Sequence, residues 1–206
     1  MKPFVKFCGF FREKDILKVR TLPVSYIGFI SVPSSKRYVT DYVAKRCISL
    51  LGKHQSAVLV VQNETVQTIL QKVRDIPFSV IQLHGEETVE DCKQLKKRCK
   101  AKIWKALPYT KVNQCNEYAK VVDTILLDHI KAGSGQTFDW SMIKDVYENV
   151  SSLGCQLIIA GGIHSGNIRT LLQYPCDGID LASGIETNGR KDRKKMKTIL
   201  EVIADE

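Results

Sequence analysis

No stretch of this chain approaches the roughly 18 consecutive apolar residues of a membrane-spanning helix. The N-terminus, Met1-Lys-Pro-Phe-Val-Lys-Phe-Cys8, alternates charge with apolar side chains and lacks the apolar core of a secretory signal. The expectation is a soluble, unexported, cytoplasmic protein with no membrane partner. None of the seven cysteines falls in a C-x-x-C pair, and their number is odd, so neither a disulfide framework nor a zinc ribbon is suggested. They read as reduced thiols. No strand-like run leads into a G-x-G-x-x-G fingerprint, and Gly133-Ser-Gly135 lacks the third glycine, which removes the signature of dinucleotide binding. Low-complexity tracts are also missing. The basic runs Lys93 to Lys100 and Arg190 to Lys197 carry no aromatic residues on which bases could stack. They interleave with Leu95, Met196 and Leu200 at helical spacing, so they read as solvated helix faces, and no nucleic-acid partner is expected.

What the chain does have is enough apolar material, 44% of 206 residues, to bury one core, and residues 1–206 are expected to form a single domain. Its net charge of +9 favours anionic ligands. Two stretches are suited to hold one. Gln156-Leu-Ile-Ile-Ala160 stops at Gly161-Gly162, and Gly178-Ile-Asp-Leu-Ala182 stops at Ser183-Gly184. Backbone N–H groups can approach a phosphate closely where no Cβ intervenes.

The same strand-then-helix alternation runs along the whole chain. Short apolar runs begin at Val5, Val24, Ser56, Ser79, Lys102, Thr124, Gln156 and Gly178, each followed by a helical pattern. Within these, Ile16, Leu17 and Val19 are expected on one helix face, and Tyr42, Val43, Ile48 and Leu51 on another. Eight such units predict a closed (β/α)₈ TIM barrel, with a doubly wound open sheet as the alternative.

In a barrel the C-terminal strand ends meet on one face. They are Cys8, Ser31, Gln62, His84, Leu107, Asp128, Gly161 and Ser183. Cys8 and Asp128 form a candidate base and acid, provided that a positive field lowers the thiol pKa and burial raises that of the carboxyl. Arg37, in a polar loop, has the planar fork that suits a carboxylate. His84, His129 and His164 also raise a three-histidine metal site as an alternative.

Together these segments resemble the phosphoribosylanthranilate isomerase family. The resemblance rests on Val5-Lys-Phe-Cys8-Gly9, Ser35-Lys-Arg37, Gln82-Leu-His84-Gly85, Trp104-Lys-Ala-Leu107, Leu127-Asp128 with Gly133-Ser-Gly135, Ala160-Gly161-Gly162 and Asp180-Leu-Ala-Ser183-Gly184-Ile-Glu186. It implies a (β/α)₈ barrel catalysing a cofactor-free and metal-free Amadori rearrangement in tryptophan biosynthesis, as a monomer or homodimer. It also implies Cys8 as general base, Asp128 as general acid and Arg37 as the anchor of the anthranilate carboxylate. Gln82, His84, Gly133, Gly161, Gly162, Ser183 and Gly184 would contact the phosphorylated substrate.

Rivals of two classes, catalytic and non-catalytic, stand beside it. A ribulose-phosphate epimerase would need a metal-ligand set, and an indole-glycerol-phosphate synthase a catalytic lysine with paired glutamates, which Lys105 alone does not supply. A non-catalytic protein binding nucleic acid through its basic faces would lose affinity steeply with salt.

Overall fold

The computed structural model describes residues 2–129 and 137–205. Eight parallel strands close into a barrel in chain order: β1 (Phe4–Cys8), β2 (Tyr26–Ile30), β3 (Ser56–Val61), β4 (Val80–Leu83), β5 (Lys102–Pro108), β6 (Thr124–Asp128), β7 (Gln156–Ile159) and β8 (Gly178–Leu181). Closure is visible at Lys6, which stands opposite Tyr26 of β2 on one side and Asp180 of β8 on the other.

Helices cover the outside: α1 (Glu13–Val19), α2 (Asp41–Ser49), α3 (Val66–Asp75), α4 (Val89–Arg98), α5 (Cys115–Ala119), α6 (Ile143–Ser152), α7 (Ile168–Leu171) and α8 (Arg193–Asp205). Threonines open three of them, because a threonine hydroxyl can accept an N–H left over in the first turn. Thr40 accepts from Val43, Thr65 from Thr68, and Thr88 from Asp91, whose carboxylate in return accepts the Thr88 N–H.

The strands are apolar on both faces, and their alternation divides the core in two. Val5, Phe7, Ile27, Phe29, Ile125 and Leu127 point outward to the helices. Cys8, Val58, Val60, Trp104, Leu126 and Ile158 point inward and fill the barrel. At the N-terminal end the filling is aromatic: Tyr26 meets Trp104 with ring centroids 4.8 Å apart and Phe4 at 5.2 Å, both edge to face. Gly178 makes room for this stopper, since a Cβ there would lie 2.4 Å from the Phe4 ring.

The eight-unit barrel expected from the sequence is the observed fold, with four local corrections. Leu17 and Tyr42 are 51% and 70% exposed, not inward. The packed faces are Ile16 with Val19 and Ala44 with Cys47, while the Tyr42 ring carries Arg46. The helical pattern expected after β7 shrinks to the four residues of α7, because Asn167 and His164 use their side chains on nearby backbone N–H and C=O groups. The segment after β5 begins as a 3₁₀ turn, Tyr109–Gln114. A two-stranded antiparallel ribbon, β9 (Glu186–Thr187) with β10 (Arg190–Lys191), follows β8 and has no counterpart in the hydrophobic pattern.

Candidate active site

Three adjoining hollows open at the C-terminal end of the strands. The first, of about 250 Å³, is bordered by Cys8, Arg37, Gln82, His84, Asp128 and Asp180. The second, of about 50 Å³, shares Asp128 and Asp180 with it and adds Gly161, Gly162 and Ser183. The third, of about 330 Å³, shares Gly162 and Ser183 with the second and adds His164, Ser165, Gly184 and Lys195. The shared residues set them side by side in one path from Arg37 to the glycine turns, each hollow adjoining the next. A larger hollow of about 680 Å³ lies at the opposite end, around Lys2, Tyr174 and Asp177. The aromatic stopper separates it from the barrel interior, and barrel chemistry belongs to the C-terminal face.

Cys8 ends β1 and Asp128 ends β6, so the closed barrel sets them across the first hollow. Both are buried. Gly28, opposite Cys8 on β2, has to lack a side chain: a Cβ would stand 2.7 Å from the sulfur. One oxygen of Asp128 accepts the His129 N–H at 2.7 Å, and the other faces His84 Nε2 at 3.4 Å. His84 is held in turn by Gln82, whose amide nitrogen lies 3.1 Å from Nδ1. The amide oxygen of Gln82 is buried without a partner among the described residues.

The expected lowering of the Cys8 pKa is not what the folded site produces. Burial pushes the thiol up, and although Lys6 and Lys191 pull it down, Asp180 works with the burial. The nearby cations are there, as anticipated, but desolvation outweighs them.

Arg37 is buried, and its Nε and Nη2 grip Glu186 in a two-point pair, each at 2.8 Å. Nη1 donates to none of the described residues, so the fork keeps one free edge in the first hollow. The stem of the Arg37 side chain passes over Gly9, whose φ is +81° and where a Cβ would lie 2.3 Å from Arg37 Cδ. Glu186 also accepts from Lys191 at 2.7 Å, and Lys191 donates to the Cys8 carbonyl at 2.6 Å. Burial opposes the Glu186 charge, but the two cations hold its carboxyl down to about 2. Burial meanwhile pulls Lys191 down.

At the other end, Gly161 and Gly162 take φ of +87° and +61°, a left-handed backbone that suits glycine. Gly184 nests against the same turn: a Cβ there would lie 1.9 Å from the Ile163 carbonyl oxygen. Lys195, in the first turn of α8, donates to the Glu186 carbonyl at 2.6 Å and borders this cradle.

Of the residues named from sequence, the path unites Cys8, Arg37, Gln82, His84, Asp128, Gly161, Gly162, Ser183 and Gly184. Gly133 lies outside the described residues. Leu107 is not at the mouth; it faces the helices. Lys105 likewise points outward, buried against Glu87 at 2.7 Å, and cannot serve as a lysine of the mouth. The three histidines diverge. His84 turns to Asp128, His129 lies beside Tyr109, and His164 accepts from Gly166.

Sequence reasoning missed Lys6, Asp180, Glu186 and Lys191 as members of the site. Lys191 was counted in a solvated basic face, yet it is buried. The available signal was a charge interrupting an apolar strand, as Lys6 does in β1 and Asp180 in β8.

A (β/α)₈ barrel that gathers a thiol, a carboxyl, an arginine and two glycine turns at the C-terminal end of its strands has the layout of a barrel enzyme. Comparison with known proteins identifies which. Residues 5–202 match the family model for N-(5'phosphoribosyl)anthranilate (PRA) isomerase, and the chain belongs to that family, which makes it an isomerase of tryptophan biosynthesis. The N-(5'-phosphoribosyl)anthranilate isomerase of Staphylococcus aureus (strain MRSA252) is 37% identical, over 97% of this chain and 96% of the relative. The phosphoribosyl anthranilate isomerase of Thermotoga maritima superposes with a TM-score of 0.88 at 27% identity, covering 99% of this chain and 100% of that one. A phosphoribosyl anthranilate isomerase in complex with reduced 1-(o-carboxyphenylamino)-1-deoxyribulose 5-phosphate superposes with a TM-score of 0.86 at 27% identity, with the same coverage.

Proposed function

We propose that this chain converts N-(5'-phosphoribosyl)anthranilate to 1-(2-carboxyphenylamino)-1-deoxyribulose 5-phosphate with Cys8 as base and Asp128 as acid. The observation that carries the assignment is the pairing of these two groups across one hollow that adjoins the glycine cradle through Asp128, Asp180, Gly162 and Ser183. The relative crystallised with a carboxyphenylamino sugar phosphate supports a ligand with two anionic ends.

In this reading the phosphate rests on the N–H groups of Gly161, Gly162, Ser183 and Gly184, with Lys195 adding positive charge. The carboxylate takes the free edge of Arg37. Between the anchors, Asp128 gives its proton to the furanose ring oxygen, and the C1′–O bond opens to a Schiff base. The Cys8 thiolate then removes the C2′ proton, and the electron pair moves into the C1′–C2′ bond to give an enolamine. Tautomerisation yields the ketone. One proton is given and one is taken, so the reaction is redox-neutral overall and requires positioning and matched proton transfer. Gln82 and His84 orient Asp128 and meet the sugar hydroxyls.

The protein is inferred to act as a monomer or homodimer; a Thermotoga maritima relative is described as a dimer from which monomers were generated. Freshly prepared substrate mixed with the purified protein, with a chelator present, should lose its anthranilate fluorescence. Absence of turnover by the unmodified chain refutes the reading, and chelator-sensitive turnover transfers it to a metal-dependent barrel enzyme.

A further inference from the structure

The barrel interior encloses an ion pair that the chemistry above does not use. Lys6 Nζ lies 2.7 Å from Asp180 Oδ2, and the lysine side chain is wholly buried. Because side chains alternate along a strand, Phe4, Lys6 and Cys8 form one inward file, with the ammonium a single step below the thiol. Besides Asp180, the side chain that acts on the ammonium is Cys8. Burial works against its charge, but Asp180 and Cys8 together push its pKa up, so it stays protonated.

Such a pair is a poor way to stabilise a barrel. Taking both ions out of water costs about as much as their attraction returns, and apolar residues of similar volume often do as well or better. Asp180 is also incompletely used. Its Oδ1 is buried with no hydrogen-bond partner among the described residues, while the residue borders both the first and the second hollow. A native buried oxygen left open beside a ligand path is the mark of a group that a ligand completes.

We propose that Lys6 is a positioning residue for the isomerisation: held by Asp180 beneath Cys8, its ammonium stabilises the thiolate that removes the C2′ proton. This rests on Cys8 being the base. Ionisation sends the thiol proton to solvent through the mouth of the hollow, and sulfur keeps the electron pair; Lys6 and Asp180 do not change protonation.

The other charged groups around Cys8 are Lys191 on β10, Arg37 after β2, and His84 and Asp128 across the hollow. Lys191 and Arg37 already share Glu186, and Asp128 faces His84. Lys6 is the cation whose anion has an open oxygen. A sugar hydroxyl donated to Asp180 Oδ1 would draw charge away from Lys6 and leave more of the ammonium to the sulfur, coupling occupancy of the site to its activation.

The test is the pH dependence of Cys8 alkylation by iodoacetamide in the intact protein, read by mass spectrometry of the tryptic peptide that carries Cys8. Lys6→Met should move the alkylation midpoint alkaline by about one pH unit and lower kcat near neutrality by about tenfold, with KM little changed. Lys6→Arg should retain part of both. Asp180→Asn should move the midpoint the other way, because it releases the ammonium to the sulfur. Lys6→Met alone leaves a carboxylate unpaired and can unfold the barrel. The double variant Lys6→Met/Asp180→Leu removes both charges, and its midpoint should also be alkaline. Midpoints unchanged in the lysine variants overturn the proposal. So does a shift of the same sign in Lys6→Met and Asp180→Asn, which is the signature of a purely structural role. If the unmodified chain fails to turn over substrate, the assigned activity fails, while the alkylation midpoints still decide whether Lys6 governs Cys8.

Discussion

The Arg37–Glu186–Lys191 cluster ties the stability of this protein to pH in a window that can be worked out beforehand. Glu186 is buried, takes the Arg37 fork at 2.8 Å on each oxygen and Lys191 at 2.7 Å, and its pKa falls from an ordinary 4.5 to about 2. A folded-state pKa below the unfolded one means that the unfolded chain binds the proton more readily. Stability from this group is therefore present in full above pH 4.5 and is lost as the pH falls towards 2. The full difference corresponds to about 3 kcal/mol, of which about 2 kcal/mol is gone by pH 3. For a chain of this size that is a fall in Tm of about 4–8 °C. Glu186→Gln removes the titration while keeping side-chain shape. Thermal unfolding of both proteins between about pH 6 and pH 3 should show the unmodified chain clearly more stable at the upper end, with the gap closing through the window. Parallel curves for the two proteins would refute the reasoning, because they would mean that the cations do not hold the carboxylate ionised.

Cys8→Ala and Asp128→Ala should each lower kcat/KM by about 100- to 10,000-fold with circular dichroism and Tm near those of the unmodified chain. Arg37→Lys keeps the charge but loses the fork, so KM should rise by about 10- to 100-fold in steady-state assays, accompanied by a lower Tm from the weakened grip on Glu186. Gly184→Ala drives a Cβ into the Ile163 carbonyl, and KM should rise by about tenfold or more, with inorganic phosphate losing its competitive inhibition in parallel.

The barrel was legible because every strand is an apolar run too short for a helix, and the eight repeats leave little choice of topology. Thr124–Asp128 even coincides with its apolar run at both ends. The failures have local causes. Tyr42 is apolar by composition but finds its partner on the surface in Arg46, and α7 is shortened by side chains that compete for its first turn. At the mouth, the location of Cys8, Asp128 and the glycines is legible because they end strands, a property of the linear pattern. Glu186 and Lys191 come from a ribbon of two-residue strands, too short to leave a periodic trace. Lys191 also sits inside a run of basic residues whose neighbours Lys194 and Lys197 are exposed. Only the folded chain separates the one buried lysine from the rest. Much the same holds for Arg37, which is enclosed with a carboxylate although nothing in the linear pattern sets it apart from a surface cation; Lys6 and Lys105 are enclosed likewise.

The aromatic stopper of Phe4, Tyr26 and Trp104 carries a consequence for traffic. A well plugged at its base has a single door. Whatever enters must leave by the way it came, and an incoming molecule cannot displace an outgoing one from behind. Reactant and rearranged product carry the same two charged ends and therefore queue for the same berth. Accumulating product should slow the forward reaction by simple competition, and the rate at which the doorway clears sets a ceiling that no improvement in proton transfer can raise.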